Sequence, residues 1–349
     1  MVTYSQSTPR VAPVPSVAIL PSDARIQFTD YAGTLTRSVA SARIVRPISD
    51  GRGFEYANPG ARARISVTLA SAGVVSPTIA YTGLITQNDT YADQGVILVN
   101  GAVVDTFNCP SPHDGIVHPT GTIAPEIPLT AGSHLVEVVY PYCASVDLLN
   151  FRIPVTATAA APAARPGPLY TPSGDSITHG FYTDNSYNGW ASMLGRLRSA
   201  RTANIGYGSR VCTASDGTVA GATGCDFATY LIGFNDYYAQ VPLATFKAAH
   251  QAYQTNFRAA AVAAGRPNAK LVVITPLFST FSVGNSSIPL SSYRQAIRDA
   301  VTAVGDANVQ LVEGLAPGMP SSAADLLDGI HPNNAGAVKV ATVLDGQIA

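Results

Sequence analysis

Residues 169–180 read Leu-Tyr-Thr-Pro-Ser-Gly-Asp-Ser-Ile-Thr-His-Gly, and the fold of the second half of the chain turns on this stretch. Leu169, Tyr170 and Thr171 suit a short buried strand. Gly174 permits a sharp turn, and Asp175 and Ser176 are favoured residues for opening a helix. Downstream the same unit recurs. Strand candidates are RTANIG (201–206), FATYLIG (227–233), KLVVITP (270–276) and VQLVEG (309–314). Ala-rich helical stretches separate them, at 189–200, 243–265, 291–304 and from 334 to the C-terminus. Strand–helix alternation predicts a parallel sheet covered by helices on both faces. In such sheets ligands gather beyond the carboxyl ends of the strands, so the polar residues that follow each strand are the ones to weigh.

Upstream of this stretch the pattern differs. From about Ser16 to Val155 short runs alternate apolar and polar residues, as in ARARISVTLA (61–70), YADQGVILVNGAVVDTF (91–107) and SHLVEVVY (133–140). Val, Ile, Thr and Tyr fit strands, and Asn100-Gly101 between two apolar runs is a type I′ hairpin signal. An antiparallel β-sandwich is expected over residues 1–155. The Ala/Pro-rich stretch TATAAAPAARPGP (156–168) reads as a linker, leaving 169–349 as the second domain.

The chain has 349 residues, of which 46% are hydrophobic, enough for two packed cores. Only 12% are charged, about half the usual ~25%. Net charge is −1, and the lysines are Lys247, Lys270 and Lys339, which argues against a nucleic-acid surface. With no basic amphipathic stretch and no apolar run of about 18 residues, neither docking on a lipid surface nor a membrane span is expected. The N-terminal MVTYSQSTPRVAPVP lacks the apolar core of a signal peptide. Either a signal has been replaced by a start Met, or the protein stays inside the cell.

Cys109, Cys143, Cys212 and Cys225 fit no common zinc spacing. They can be four buried thiols or two disulfides. The low charge favours disulfides, paired Cys109–Cys143 in the sandwich and Cys212–Cys225 in the second domain. The latter bridge would brace the loop between the second and third strands. His113, Asp114 and His118 lack a firm third ligand and read as a loop, so no metal is expected.

Ser176 sits where a strand-to-helix turn can lift it into a cleft, near backbone N–H groups that favour negative charge. The glycines of Asn204-Ile205-Gly206-Tyr207-Gly208-Ser209 let backbone approach a ligand closely. Asn235, in Gly233-Phe234-Asn235-Asp236, can donate its amide to an oxyanion. Histidine suits the base that a serine nucleophile needs, which makes His331, in Asp328-Gly329-Ile330-His331, the candidate, and Asp328 can orient it from within one turn. Each element alone reads equally as capping or turn chemistry. Their order after successive strands does not.

With these blocks the chain resembles the SGNH (GDSL-type) hydrolases over about residues 169–349. GDSITHG, GFND and DGIH match the family's first, third and fifth blocks. The resemblance implies a three-layer α/β domain that works without cofactor. In it Ser176 is the nucleophile, His331 the general base and Asp328 its orienting acid. Ser176 N–H and Asn235 supply oxyanion-hole donors. The second block departs: where the family has N-x-G-x-x-G, the last position here is Ser209, preceded by Gly208, and either backbone N–H can complete the hole. A sandwich ahead of such a domain resembles carbohydrate esterase family 2, which implies a jelly-roll-like N-terminal domain. LTAGSHLVEVVY (129–140) is similar to the final strands of that domain.

The expected activity is a serine esterase acting on short acyl esters, O-acetyl groups of a carbohydrate first of all, in a secreted or periplasmic protein. Tyr182, Tyr187 and Tyr237 are candidate substrate contacts, although packing of helices explains such aromatics as well. Rival readings are an esterase, lipase or thioesterase for longer acyl chains, an acyltransferase, and a catalytically inactive carbohydrate-binding protein.

Overall fold

The computed structural model describes residues 15–47, 56–83, 93–109, 120–142, 144–283 and 287–348. The N-terminal half forms two antiparallel sheets. One runs Ile127–Leu129, Gly73–Gly83, Ala144–Pro154, Ala42–Val45, Thr34–Arg37, with Ser16–Ile19 and Thr120–Ile123 paired to its two longest strands. The other runs Thr158–Ala160, Arg62–Leu69, Gly132–Val139, Asp93–Val99, Ala102–Cys109, with Gln27–Thr29 beside Arg62–Leu69. Alternate residues of both sheets, among them Ile65, Val67, Val75, Ile79, Val136, Val138 and Phe151, meet in one buried core. Asn100 (φ 51°) and Gly101 (φ 83°) turn the Asp93–Val99/Ala102–Cys109 hairpin with both residues left-handed, as the Asn-Gly pair requires.

Part of the Ala/Pro stretch is not a free tether. Thr158–Ala160 pairs with Ser66–Thr68 as an edge strand. Ala163 O accepts from Arg64 Nη1, and Arg165 pairs with Asp30. These contacts strap 158–165 to the sandwich.

The second half is a five-stranded parallel sheet in the order Arg201–Thr202, Leu169–Gly174, Phe227–Leu231, Lys270–Ile274, Val309–Val312. Helices cover both faces because the central strands are apolar on both. Leu271 and Val273 face α3 (Ala214–Ala222), α5 (Leu243–Ala263) and α6 (Leu290–Val304). Val272 and Ile274 face α2 (Trp190–Leu197) and α7 (Asn334–Gln347). Two short helices, α1 (Ser176–His179) and α4 (Phe234–Tyr238), cap the carboxyl ends of the first and third strands in chain order. Those two strands are parallel neighbours in the sheet, and the order in which strands are added reverses between them. The crevice at this reversal is where open α/β sheets bind ligands.

Helix α3 has no clear counterpart in the sequence reading. Its segment ASDGTVAGA carries two glycines, which disfavour an isolated helix. The glycines are what its packing needs. A Cβ on Gly217 would overlap the Tyr253 carbonyl of α5, and one on Gly221 would overlap that of Phe257. Close helix–helix approach therefore outweighs low propensity.

Candidate active site

Ser176 opens α1 directly after a turn that only glycine makes cheaply. Gly174 has φ 150°, and a Cβ there would stand 2.5 Å from Thr178 Oγ1 and overlap the Leu231 carbonyl. Asp175 caps the helix by accepting from Ile177 N–H at 2.9 Å. As the first helical residue, Ser176 directs its own N–H away from any intrahelical acceptor.

His331 reaches Ser176 from the turn before α7. Ser176 Oγ lies 2.7 Å from His331 Nε2, and His331 Nδ1 lies 2.8 Å from Asp328 Oδ2. Asp328 also holds the turn itself, since its Oδ1 accepts from Ile330 N–H (3.0 Å) and His331 N–H (2.8 Å). Gly329 O accepts from Ser279 Oγ (2.7 Å) and Thr280 N–H (2.9 Å), which ties this turn to the loop after Lys270–Ile274. Burial opposes ionisation of Asp328. The His331 side-chain hydrogen bond, its charge and the two backbone N–H groups outweigh burial and hold the carboxyl below its usual range. An ionised Asp328 fixes Nδ1–H on His331, so Nε2 is free to accept the Ser176 hydroxyl proton.

A second histidine, His179, stands one turn from Ser176 but is fully buried, its Nε2–H donating to Tyr142 O at 2.6 Å. Burial, reinforced by the charge of Arg46, pushes its pKa well below the ordinary value, so it stays neutral. Asp175 is pushed up to about 7 by burial, with Asp236 adding to the effect and Ile177 N–H and His331 opposing it. Asp236 is raised to about 6 by burial, against the N–H of Cys212 that it accepts.

The second block is held on several sides. Asn204 Nδ2 donates to Thr178 O (2.9 Å), and Asn204 Oδ1 accepts from Gly206 N–H (2.8 Å). Tyr207 N–H donates to Gly174 O at 2.9 Å. A Cβ on Gly206 would come within 2.6 Å of His179 N, so this residue must be glycine for the loop to lie on α1. Ser209 adopts φ 60°, a left-handed conformation that suits glycine, at the position where it departs from N-x-G-x-x-G. Asn235 Nδ2 donates to Arg210 O at 2.9 Å, which leaves its second amide hydrogen without a protein acceptor among the described residues. Ser176, the Gly208–Ser209 loop and Asn235 thus lie together at the carboxyl end of the sheet, tied through Gly174 and Arg210.

Sequence reasoning missed what the sandwich contributes. Arg46, buried at 3% exposure, donates from Nη1 to Gly206 O at 2.6 Å, and its guanidinium lies 5.4 Å from the centre of the Tyr207 ring. Tyr142 O holds His179, and Ser186 Oγ donates to Tyr140 O at 2.5 Å. Arg46 and Gly206 are 160 residues apart, so no local pattern could reveal the contact.

Other expectations need correction. Cys212 and Cys225 are separate buried thiols, not a disulfide. Cys212 Sγ accepts from Tyr230 Oη at 3.3 Å. The nine-residue helix α3, about 13 Å long, stands between the two cysteines. Cys143 lies outside the described residues, as do His113, Asp114 and His118, so the Cys109–Cys143 pairing is not addressed by the structure. No group of three or more potential metal ligands occurs among the described residues. Tyr237 is buried between Phe234 and Tyr293, its hydroxyl accepting from Val283 N–H at 3.0 Å, and offers no face to a ligand. Tyr187 is stacked under Arg196 at 3.8 Å, away in the seam between the halves. Tyr182 does stand at the site, its ring 4.8 Å from that of His331. The exposed aromatic pair near Asn235 is Tyr238 and Phe281, with ring centres 5.8 Å apart.

Residues 173–338, just under half of the chain, match the model of the GDSL-like Lipase/Acylhydrolase family. No curated protein matches the sequence. Solved structures resemble it along nearly its whole length. The salicylyl-acyltransferase SsfX3 from a tetracycline biosynthetic pathway has a TM-score of 0.75 at 16% identity, over 94% of this chain and 95% of that one. A family two carbohydrate esterase from Cellvibrio japonicus has a TM-score of 0.62 at 15% identity, over 96% and 97%. The acetyl xylan esterase Est2A from the rumen bacterium Butyrivibrio proteoclasticus has a TM-score of 0.62 at 12% identity, over 96% and 97%. At these identities the likeness is one of fold, and it extends through both halves.

Proposed function

We propose that the protein is a serine esterase that hydrolyses short-chain acyl esters, O-acetyl groups of a carbohydrate first of all. The observation that carries this reading is the hydrogen-bonded line from Ser176 Oγ through His331 to Asp328. Ser176 Oγ attacks the ester carbonyl while His331 Nε2 takes its proton. The oxyanion is met by Ser176 N–H, the N–H of Gly208 or Ser209, and the free amide hydrogen of Asn235. His331 returns the proton to the leaving alcohol, leaving an acyl-serine. A water then attacks the acyl-serine while His331 takes its proton, and His331 returns that proton to Ser176 Oγ as the acid leaves.

The carbohydrate part of the proposal draws on the two-part architecture shared with family two carbohydrate esterases. The low charge of the chain suits a neutral ester. In this reading residues 1–155 are a jelly-roll-like accessory domain, 156–168 a connector and 169–349 the catalytic domain. The protein works outside the cytoplasm, where acetylated polysaccharide is met. A p-nitrophenyl ester series from acetate to octanoate, followed by a panel of acetylated polysaccharides, tests the proposal. An acetate optimum with acetate release from a polysaccharide supports it. An octanoate optimum favours the longer-chain esterase or lipase, and no hydrolysis of any ester contradicts both.

A further inference from the structure

The seam between the sandwich and the parallel-sheet domain concentrates arginine in a chain otherwise poor in charge. Arg62 and Arg64 come from the strand Arg62–Leu69, Arg165 from the strap, Arg196 from α2 and Arg201 from the strand that follows it. Two carboxylates answer them. Asp30 pairs with Arg62 (2.9 Å) and Arg165, and Glu137 with Arg62 (3.3 Å) and Arg64 (3.0 Å). Arg196 and Arg201 have no carboxylate partner among the described residues. Each is close enough to another arginine of the seam to be felt electrostatically, Arg196 by Arg62 and Arg201 by Arg165. Guanidinium groups do not give up their protons at working pH, so the seam keeps an excess of three positive charges in partial burial.

A small cleft, with room for about one water-sized guest, lies in this seam. Arg62, Arg165, Arg196, Asp30 and the hydroxyl residues Ser192 and Thr202 line it. Tyr187 takes the face of Arg196 at 3.8 Å and that of Arg62 at 5.7 Å. With the Tyr187 ring against Arg196, the in-plane N–H edge is what that arginine can offer a guest. Arg196 spends one such donor on Tyr187 O at 2.5 Å. The charges of the lining are three guanidinium groups against one carboxylate, Asp30, which two of the arginines already share, and the Ser192 and Thr202 hydroxyls can donate as well. A cation meets net positive charge here. A small negative ion finds donors and unbalanced charge together.

We propose that this seam is a binding site for a small inorganic anion of the halide class. The ion neutralises the arginine excess and ties the sandwich to the catalytic domain. The site is separate from Ser176, and its test does not depend on the esterase reading. Thermal unfolding of the full chain is followed in sodium chloride and in sodium gluconate at equal ionic strength, with sodium phosphate as a third arm. Matching ionic strength removes general screening as a cause. Chloride is expected to raise Tm saturably, by about 2 °C or more over gluconate, as binding to the folded state alone requires. Arg196→Gln is expected to lose that difference. Crystals soaked in bromide are expected to show an anomalous peak beside Arg196. Equal Tm values in chloride and gluconate for the wild type, or a cleft holding water alone in the bromide crystal, overturn the proposal. So does a response to phosphate without one to chloride.

Discussion

Replacing Arg46 by Met asks whether the sandwich sets the geometry of the catalytic loop. Met keeps an unbranched apolar side chain at this buried position but removes the donor that Gly206 O accepts at 2.6 Å. A hydrogen bond from a charged group contributes about 1.5–3 kcal/mol, and a buried acceptor left without its donor adds to the loss. Three ties hold the loop afterwards, from Asn204 to Thr178 O, from Tyr207 N–H to Gly174 O, and from Asn235 to Arg210 O, each at 2.9 Å. The domain should therefore stay folded, while the peptide that leads into Gly208 and Ser209 is freed to turn. Complete loss of one oxyanion donor costs about 100- to 1000-fold in kcat. Partial misplacement should cost Arg46→Met about 10- to 100-fold on p-nitrophenyl acetate, with KM changed by less than about twofold. Arg46→Lys, which keeps a cation but not the planar fork, should recover part of the rate. Folded Arg46→Met with wild-type kcat would refute the idea that the sandwich acts through this loop.

Other residues give independent checks. Ser209→Gly removes a non-glycine residue from φ 60° and should raise stability by about 1 kcal/mol in denaturant melts, with kcat nearly unchanged. A fall in stability would show that the Ser209 side chain matters. Gly206→Ala puts a methyl 2.6 Å from His179 N and should cost most of the activity, whereas wild-type kinetics would contradict the packing of this loop on α1. Asp175 titrates near 3.9 when unfolded but at about 7 when folded, so the native state holds its proton more tightly. Its contribution to stability therefore falls as pH rises from about 4 to about 7, by up to about 1.4 kcal/mol per unit. Asp175→Asn keeps a capping acceptor without the charge and should flatten the Tm–pH curve in that window. Curves that run parallel would contradict the assignment.

Features written in local sequence were legible without a structure. The Asp328–His331 turn is one, because three residues suffice to place carboxylate and imidazole together. The Gly174–Ser176 turn and the Asn100–Gly101 hairpin are others, since glycine and asparagine report backbone angles directly. What escaped depends on distant partners. Helix α3 forms because its glycines fit against α5, and that helix separates the two cysteines expected to bond. Tyr187 and Tyr237 look like any aromatic beside a catalytic block until tertiary packing buries one and stacks the other under arginine. Arg46 reads as an ordinary strand-end arginine until it is seen at Gly206.

The central claim is that Ser176, activated by His331, is the nucleophile. Hydrolysis of p-nitrophenyl acetate by Ser176→Ala, with folding checked by circular dichroism, tests it most directly. Wild-type protein should turn over the ester, and the folded variant should lose at least about 10⁴-fold in kcat. A folded Ser176→Ala protein within tenfold of the wild-type rate would contradict the account.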